Sequence, residues 1–183
     1  MPAVSYTHLD VYKRQGQAPV PIDSARDGSE RDVSINAGHA LLQGTLSLPK
    51  DAKGIVVFAH GSGSSRHSSR NRQVAAVLQA QGIATLLFDL LTQEEESADL
   101  WTAELRFNIG LLAGRLVGVT KWLTQQASTG GLPIGYFGAS TGAAAALVAA
   151  AQLPGLVSVV VSRGGRPDLA AEALGKVLSL IHI

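Results

Sequence analysis

Gly138-Ala139-Ser140-Thr141-Gly142 sets a serine between two glycines at the spacing G-x-S-x-G. A serine hydroxyl is a weak nucleophile unless its geometry is forced and the charge it creates is stabilised. The flanking residues answer both needs. Residues 133–137 are a short apolar run, and residues 143–152 are mostly alanine. A strand, a sharp turn and a helix in that order would lift the Ser140 Oγ above a sheet edge. Only small residues fit beside such a turn, so Gly138 and Gly142 are its supports. The helix behind it would aim its partial positive charge at a developing oxyanion. The chemistry indicated is acyl transfer through Ser140.

An earlier apolar run, residues 55–59, ends in His60-Gly61-Ser62-Gly63. Acyl-transfer sites on such a turn take one oxyanion donor from the residue after the serine, here Thr141. The second comes from the loop after an earlier strand, where the Ser62 backbone N–H is the candidate and Gly61 and Gly63 allow close approach. His60 is read as a strand-end histidine that holds this loop by hydrogen bonding. Arg66, His67, Arg70 and Arg72 follow. Positive charge is unfavourable at a helix start, so Arg66 and Arg70 are candidate contacts for a substrate anion; the alternative is a solvated first turn. Arg163 and Arg166 either pair with Asp168 or line the cleft. Asp89, at another strand end, is read as a structural hydrogen-bonding residue.

The elements that must carry these residues alternate along the chain. Residues 32–49 contain two β-like runs separated near Gly38, a hairpin signal. Residues 55–59, 83–88, 133–137 and 156–161 read as strands buried on both faces. A helix over residues 71–81 has Gly82 beyond its end. Glu94, Glu95 and Glu96 open what reads as one long helix with Leu105, Leu112, Leu116, Val119 and Leu123 on its buried face. Gly110, Gly114 and Gly118 are expected to bring that helix close to the sheet. A hairpin followed by strand–helix alternation predicts an α/β domain: a mainly parallel sheet with flanking helices.

Length and charge exclude several other classes. The chain has 183 residues, about one domain's length. Its 15 Lys and Arg against 14 Asp and Glu leave a charge of +1, unlike a nucleic-acid coat or a polybasic membrane anchor. The sequence contains no cysteine and no zinc-spaced histidine pair, so neither a metal nor a cofactor is expected. No apolar run approaches the roughly 18 residues that span a bilayer, and no export signal is present. The expectation is a cytoplasmic protein acting on a small molecule, without nucleic-acid or membrane partners and with its oligomeric state open.

The segments VVFAHGSGSSRHSSRNR, ATLLFDLL, RFNIGLLAGRL, PIGYFGASTGAAAALVAAA and VVVSRGGRPDLA together resemble the dienelactone-hydrolase-like branch of the α/β-hydrolase family. That resemblance covers nearly all of residues 32–177. It implies the α/β-hydrolase fold, a serine nucleophile at Ser140, and oxyanion donors at Ser62 and Thr141. The substrate implied is an ester, thioester or lactone of a small carboxylic acid. Dienelactone hydrolase itself has a cysteine nucleophile, so its own lactone is not implied here. Residues 1–15 and 178–183 resemble translated adaptor sequence; they are read as non-native, with residues 16–31 a linker and 32–177 a partial domain missing its last strands.

The departure from the family lies after the serine. The triad order is serine, acid, histidine, yet only Asp168, Glu172 and His182 follow Ser140, and they are too close together to be its partners. The fragment is therefore expected to be nearly inactive. Two other readings stay open: a non-catalytic module of the same fold, and a dinucleotide-binding unit with GASTG as its phosphate loop. The second lacks the G-x-G-x-x-G spacing.

Overall fold

Strands Glu30–Ala37 (β1) and Ala40–Ser47 (β2) pair in antiparallel register from Glu30↔Ser47 to Ala37↔Ala40, and Gly38 turns between them at φ 74°. The computed structural model describes residues 30–177 and 180–183. The scar-like segment 1–15, linker residues 16–29 and residues 178–179 lie outside the described residues. β1 begins two residues inside the stretch read as linker.

Ile55–Ala59 (β3), Ala84–Phe88 (β4), Ile134–Ala139 (β5) and Val157–Arg163 (β6) follow, as the apolar runs predict. The sheet runs β1-β2-β4-β3-β5-β6, and a last strand, Leu180–His182 (β7), lies beyond β6. β2 meets β4 antiparallel, and β3 to β7 are parallel. Residues 180–182, within the stretch read as adaptor-like, pair with β6 from Val160↔Leu180 to Ser162↔His182.

Alternating side chains separate two apolar layers. Ile55, Val57, Leu86, Phe88 and Tyr136 face the large core, whereas Phe58, Leu87 and Phe137 face the other side. Helix Ser69–Ala80 (α1) covers the second layer with Val74, Ala75 and Leu78. Helices Ile109–Gln125 (α3) and Thr141–Gln152 (α4) cover the first, where Leu112, Leu116, Val119 and Leu123 are buried. Each buried leucine stabilises the fold by about 1.5–3 kcal/mol.

The single long helix expected after Glu94 is two helices. Gln93–Thr102 (α2) starts in a capping box, in which Thr92 accepts from the Glu95 N–H and Glu95 accepts from the Thr92 N–H. It stops at Ala103, whose φ of 55° is left-handed. A 3-10 turn over Leu105–Phe107 follows, and Asn108 caps α3 by accepting from the Leu111 N–H. Leu105 therefore is not on α3. Of the three glycines, only Gly118 meets the sheet closely: a Cβ there would lie 2.8 Å from the Cβ of Ala37. A short helix, Ala171–Leu174 (α5), completes the elements. Among the described residues, no helix is long and apolar enough to cross a membrane.

Candidate functional site

Ser140 stands between β5 and α4 at φ 50°, ψ −122°, a conformation that costs a non-glycine residue of order 1–3 kcal/mol. It is half-buried, with every residue of β5 buried before it. The glycines around it are steric necessities. A Cβ on Gly138 would fall on the Cα of Ala143, and one on Gly142 would fall on the carbonyl oxygens of Ala59 and His60. Gly61 brings the preceding loop against the serine, since a Cβ there would sit 3.1 Å from the Cβ of Ser140. The sequence motif and the forced backbone agree at this point.

The loop after β3 is held from both sides. The His60 Nε2 accepts the Leu90 N–H at 3.2 Å, which leaves the ring proton on Nδ1, 3.0 Å from the Gly61 carbonyl oxygen. Both ring nitrogens are spent, so His60 ties this loop to the end of β4. Ser62 donates its backbone N–H to the Thr141 Oγ1 at 3.1 Å. The two candidate oxyanion residues are thus neighbours, and one of the two donors is already engaged by the other residue's side chain.

Arg66 does not serve as a free anion contact. Asp89 accepts the Arg66 backbone N–H at 2.8 Å and also pairs with its guanidinium. The carboxylate at the end of β4 reaches it first, which bears out Asp89 as a structural residue. Arg70 is exposed in the first turn of α1 and does not line the cleft described below. Partial burial, then the Arg66 charge, hold His67 below its ordinary value near 6.5.

A cleft of about 70 Å³ opens beside this loop, lined by residues that include Ser62, Thr141, Leu90, Leu100 and Leu112. Its floor contains an ion pair that the sequence reading missed. Asp99, 1% exposed, accepts from the Leu105 N–H at 2.6 Å and from the Arg106 Nε at 2.5 Å. Burial opposes the Asp99 charge, but hydrogen bonds from the Arg106 side chain and the Leu105 and Arg106 N–H groups outweigh it and hold its pKa low. Arg115 joins α3 to α2 through Glu95 at 2.5 Å. The Thr92-x-x-Glu95 box was a readable signal of where α2 begins; nothing in the sequence marked the Asp99–Arg106 pair once a single helix was assumed.

The remaining candidates lie elsewhere. Arg166 pairs with Asp168 at 2.6 Å, and the Arg163 guanidinium sits 6.0 Å from the Phe137 ring centroid. The His182 Nδ1 is 3.1 Å from the Ser162 Oγ on the adjacent strand. Among the described residues, no histidine is hydrogen-bonded to Ser140.

No protein-family model matches the chain. It resembles the crystal structure of dienelactone hydrolase from Anabaena variabilis with 52% identity and a TM-score of 0.78, over 85% of each chain. A dienelactone hydrolase-like promiscuous phosphotriesterase from metagenomic libraries shares the fold at 18% identity and a TM-score of 0.66, over 84% of this chain and 67% of that one. Two strains of Mycobacterium tuberculosis encode proteins provisionally named phosphoribosyl transferases that are 58% identical over 160 residues. The match takes in 86% of this chain but only 35% of those longer relatives.

Proposed function

The chain belongs to the dienelactone hydrolase-like α/β-hydrolases, and from that membership we propose that it is a serine hydrolase acting on an ester, thioester or lactone of a small carboxylic acid. Ser140 is the nucleophile in this reading. Its Oγ adds to the substrate carbonyl, the carbonyl electrons move onto oxygen, and the alkoxide or thiolate leaves as the acyl-enzyme forms. The observation that carries the reading is the backbone of Ser140, φ 50° at the strand–helix junction, with Gly61 packed against it.

The oxyanion would be held by the backbone N–H groups of Thr141 and Ser62, 2.7–3.1 Å from the developing charge in a working hole. Thr141 begins α4, so its amide is one of the N–H groups left unpaired at a helix start. The Ser62 amide has to leave the Thr141 hydroxyl before it can contribute. The proton of Ser140 needs a base: both ring nitrogens of His60 are engaged, His182 bonds Ser162 through Nδ1, and among the described residues no histidine is hydrogen-bonded to Ser140. Hydrolysis by this chain is accordingly slow in this reading.

That same occupancy favours a second reading, a non-catalytic module that kept the fold. One experiment separates the two. Prolonged treatment with a fluorophosphonate probe, followed by peptide mass spectrometry, should place the label on Ser140 and leave the Ser140→Ala variant unlabelled. Labelling that persists in Ser140→Ala, or no label at all, removes the hydrolase reading.

A further inference from the structure

The cleft beside Ser62 and Thr141 has an apolar wall and an unbalanced charge. Leu90, Leu91, Leu100 and Leu112 line it together with three carboxylates. Two of those carboxylates are neutralised, Asp89 by Arg66 and Asp99 by Arg106. The third, Glu96, lines the cleft from the exposed side of α2, and among the described residues no side-chain hydrogen bond or ion pair engages it. His60, also in the lining, has both ring nitrogens engaged, one by the Leu90 N–H and the other by the Gly61 carbonyl oxygen. Arg70 and Arg72, the cations of the neighbouring helix, do not reach it. Among the described residues, the cleft therefore carries one carboxylate without a cationic partner.

Size and polarity narrow the occupant further. At about 10–15 Å³ of such space per water-sized body, 70 Å³ holds roughly five to seven, a short acyl chain rather than a fatty one. Leucine walls favour apolar matter at about 25 cal/mol per Å² buried. A carboxylate entering would lose hydration and meet Glu96 across a medium less screening than water.

We propose that this cleft receives a short, uncharged acyl group and that Glu96 at its rim excludes substrates bearing a carboxylate there. The inference rests on the serine-hydrolase reading only in naming an ester as the ligand. Glu96 is a specificity residue here, since it acts on what enters the cleft rather than on the reacting bond.

The test uses the full chain with methyl-labelled leucines, titrated at pH 7 with methyl butyrate and with monomethyl succinate. Methyl butyrate should shift the Leu100 and Leu112 methyl signals and bind about tenfold more tightly than the succinate, the order of effect one partly screened charge at the cleft rim produces. Glu96→Gln should narrow that ratio to about threefold, and Glu96→Lys should bring the succinate level or ahead. The position is exposed, so unchanged signals elsewhere will report an intact fold. Succinate binding as tightly as butyrate in the wild type, a ratio indifferent to both variants, or no shift at the leucines with either ester would each overturn the proposal. Binding is read without turnover, so this outcome is independent of whether Ser140 takes a fluorophosphonate label.

Discussion

Thr141 holds the backbone N–H of Ser62 through its side-chain oxygen at 3.1 Å, across a sequence separation of 79 residues. The bond joins the turn that carries Ser140 to the loop that packs against it. In the proposed reaction the candidate second oxyanion donor is thus occupied at rest, and its amide would have to exchange one acceptor for another.

Replacing Thr141 tests that brace. Thr141→Val keeps the shape of a residue only 3% exposed and removes the acceptor. The expected loss is about 1 kcal/mol in urea denaturation, a typical net hydrogen-bond contribution, because Ser62 is exposed enough for water to satisfy its amide. Thr141→Ser keeps the oxygen and should retain most of that stability. A loss in Thr141→Ser with none in Thr141→Val would mean that the methyl group, not the bond, matters.

Gly142 and Gly114 predict opposite outcomes for the same substitution. Gly142→Ala drives a Cβ into two backbone carbonyls, which cannot move aside without breaking β3 from the site. It should cost more than about 3 kcal/mol and leave little folded protein by circular dichroism. Gly114→Ala, inside α3 with nothing within 4 Å, should instead raise the denaturation midpoint by about 0.5–1 kcal/mol of stability.

The strands and the serine turn were legible because each is dictated locally. Residues 55–59 are buried on both faces, and no pattern but a central strand suits so short an apolar run. Gly138 and Gly142 announce the turn because nothing larger fits. The α2–α3 break was misread because leucine spacing continues through it. The stop depends on Ala103 in a left-handed conformation, which sequence does not advertise for an alanine. The pairing of Arg66 was not legible for a related reason: its partner, Asp89, is 23 residues away and is brought near only by the pairing of β3 with β4.

Asp99 makes the fold acid-sensitive. Its folded pKa lies below the ordinary value, so its contribution to stability is present above about pH 4 and is lost as pH falls through the folded value. Thermal melts from pH 7 to pH 3 should show this decline. Asp99→Asn should be less stable at pH 7 yet lose less on acidification. An acid limb of the same slope in the variant would assign the effect to other carboxylates.

Tyr136 governs the alkaline side. Burial pushes its pKa up to about 12, against the opposing hydrogen bond with Thr120 at 2.5 Å. A raised folded value means that its stabilising contribution is complete below the unfolded value of about 10 and fades as pH climbs towards 12. Tyr136→Phe should therefore flatten the loss of stability between pH 10 and about 12. Absorbance at the phenolate band should show one tyrosine in the wild type titrating together with unfolding.

The last prediction follows from the proposed role of Ser140, to which no histidine among the described residues is hydrogen-bonded. In a related triad enzyme, sites stripped of triad members still accelerate hydrolysis by roughly 10³–10⁴ over water through the oxyanion hole and binding. This chain should therefore turn over p-nitrophenyl acetate at a trace rate, and Ser140→Ala should remove the enzyme-dependent part. Free imidazole has a pKa near that of a histidine side chain and is small enough to approach a half-buried serine. Adding it should raise the rate of the wild type above that of Ser140→Ala at the same imidazole concentration, which subtracts the reaction of imidazole with the ester in solution. The gain should grow with pH between 6 and 8 as imidazole loses its proton. If the two proteins respond identically, Ser140 is not waiting for a base; if the wild type is fully active without imidazole, a group within the chain already serves as one.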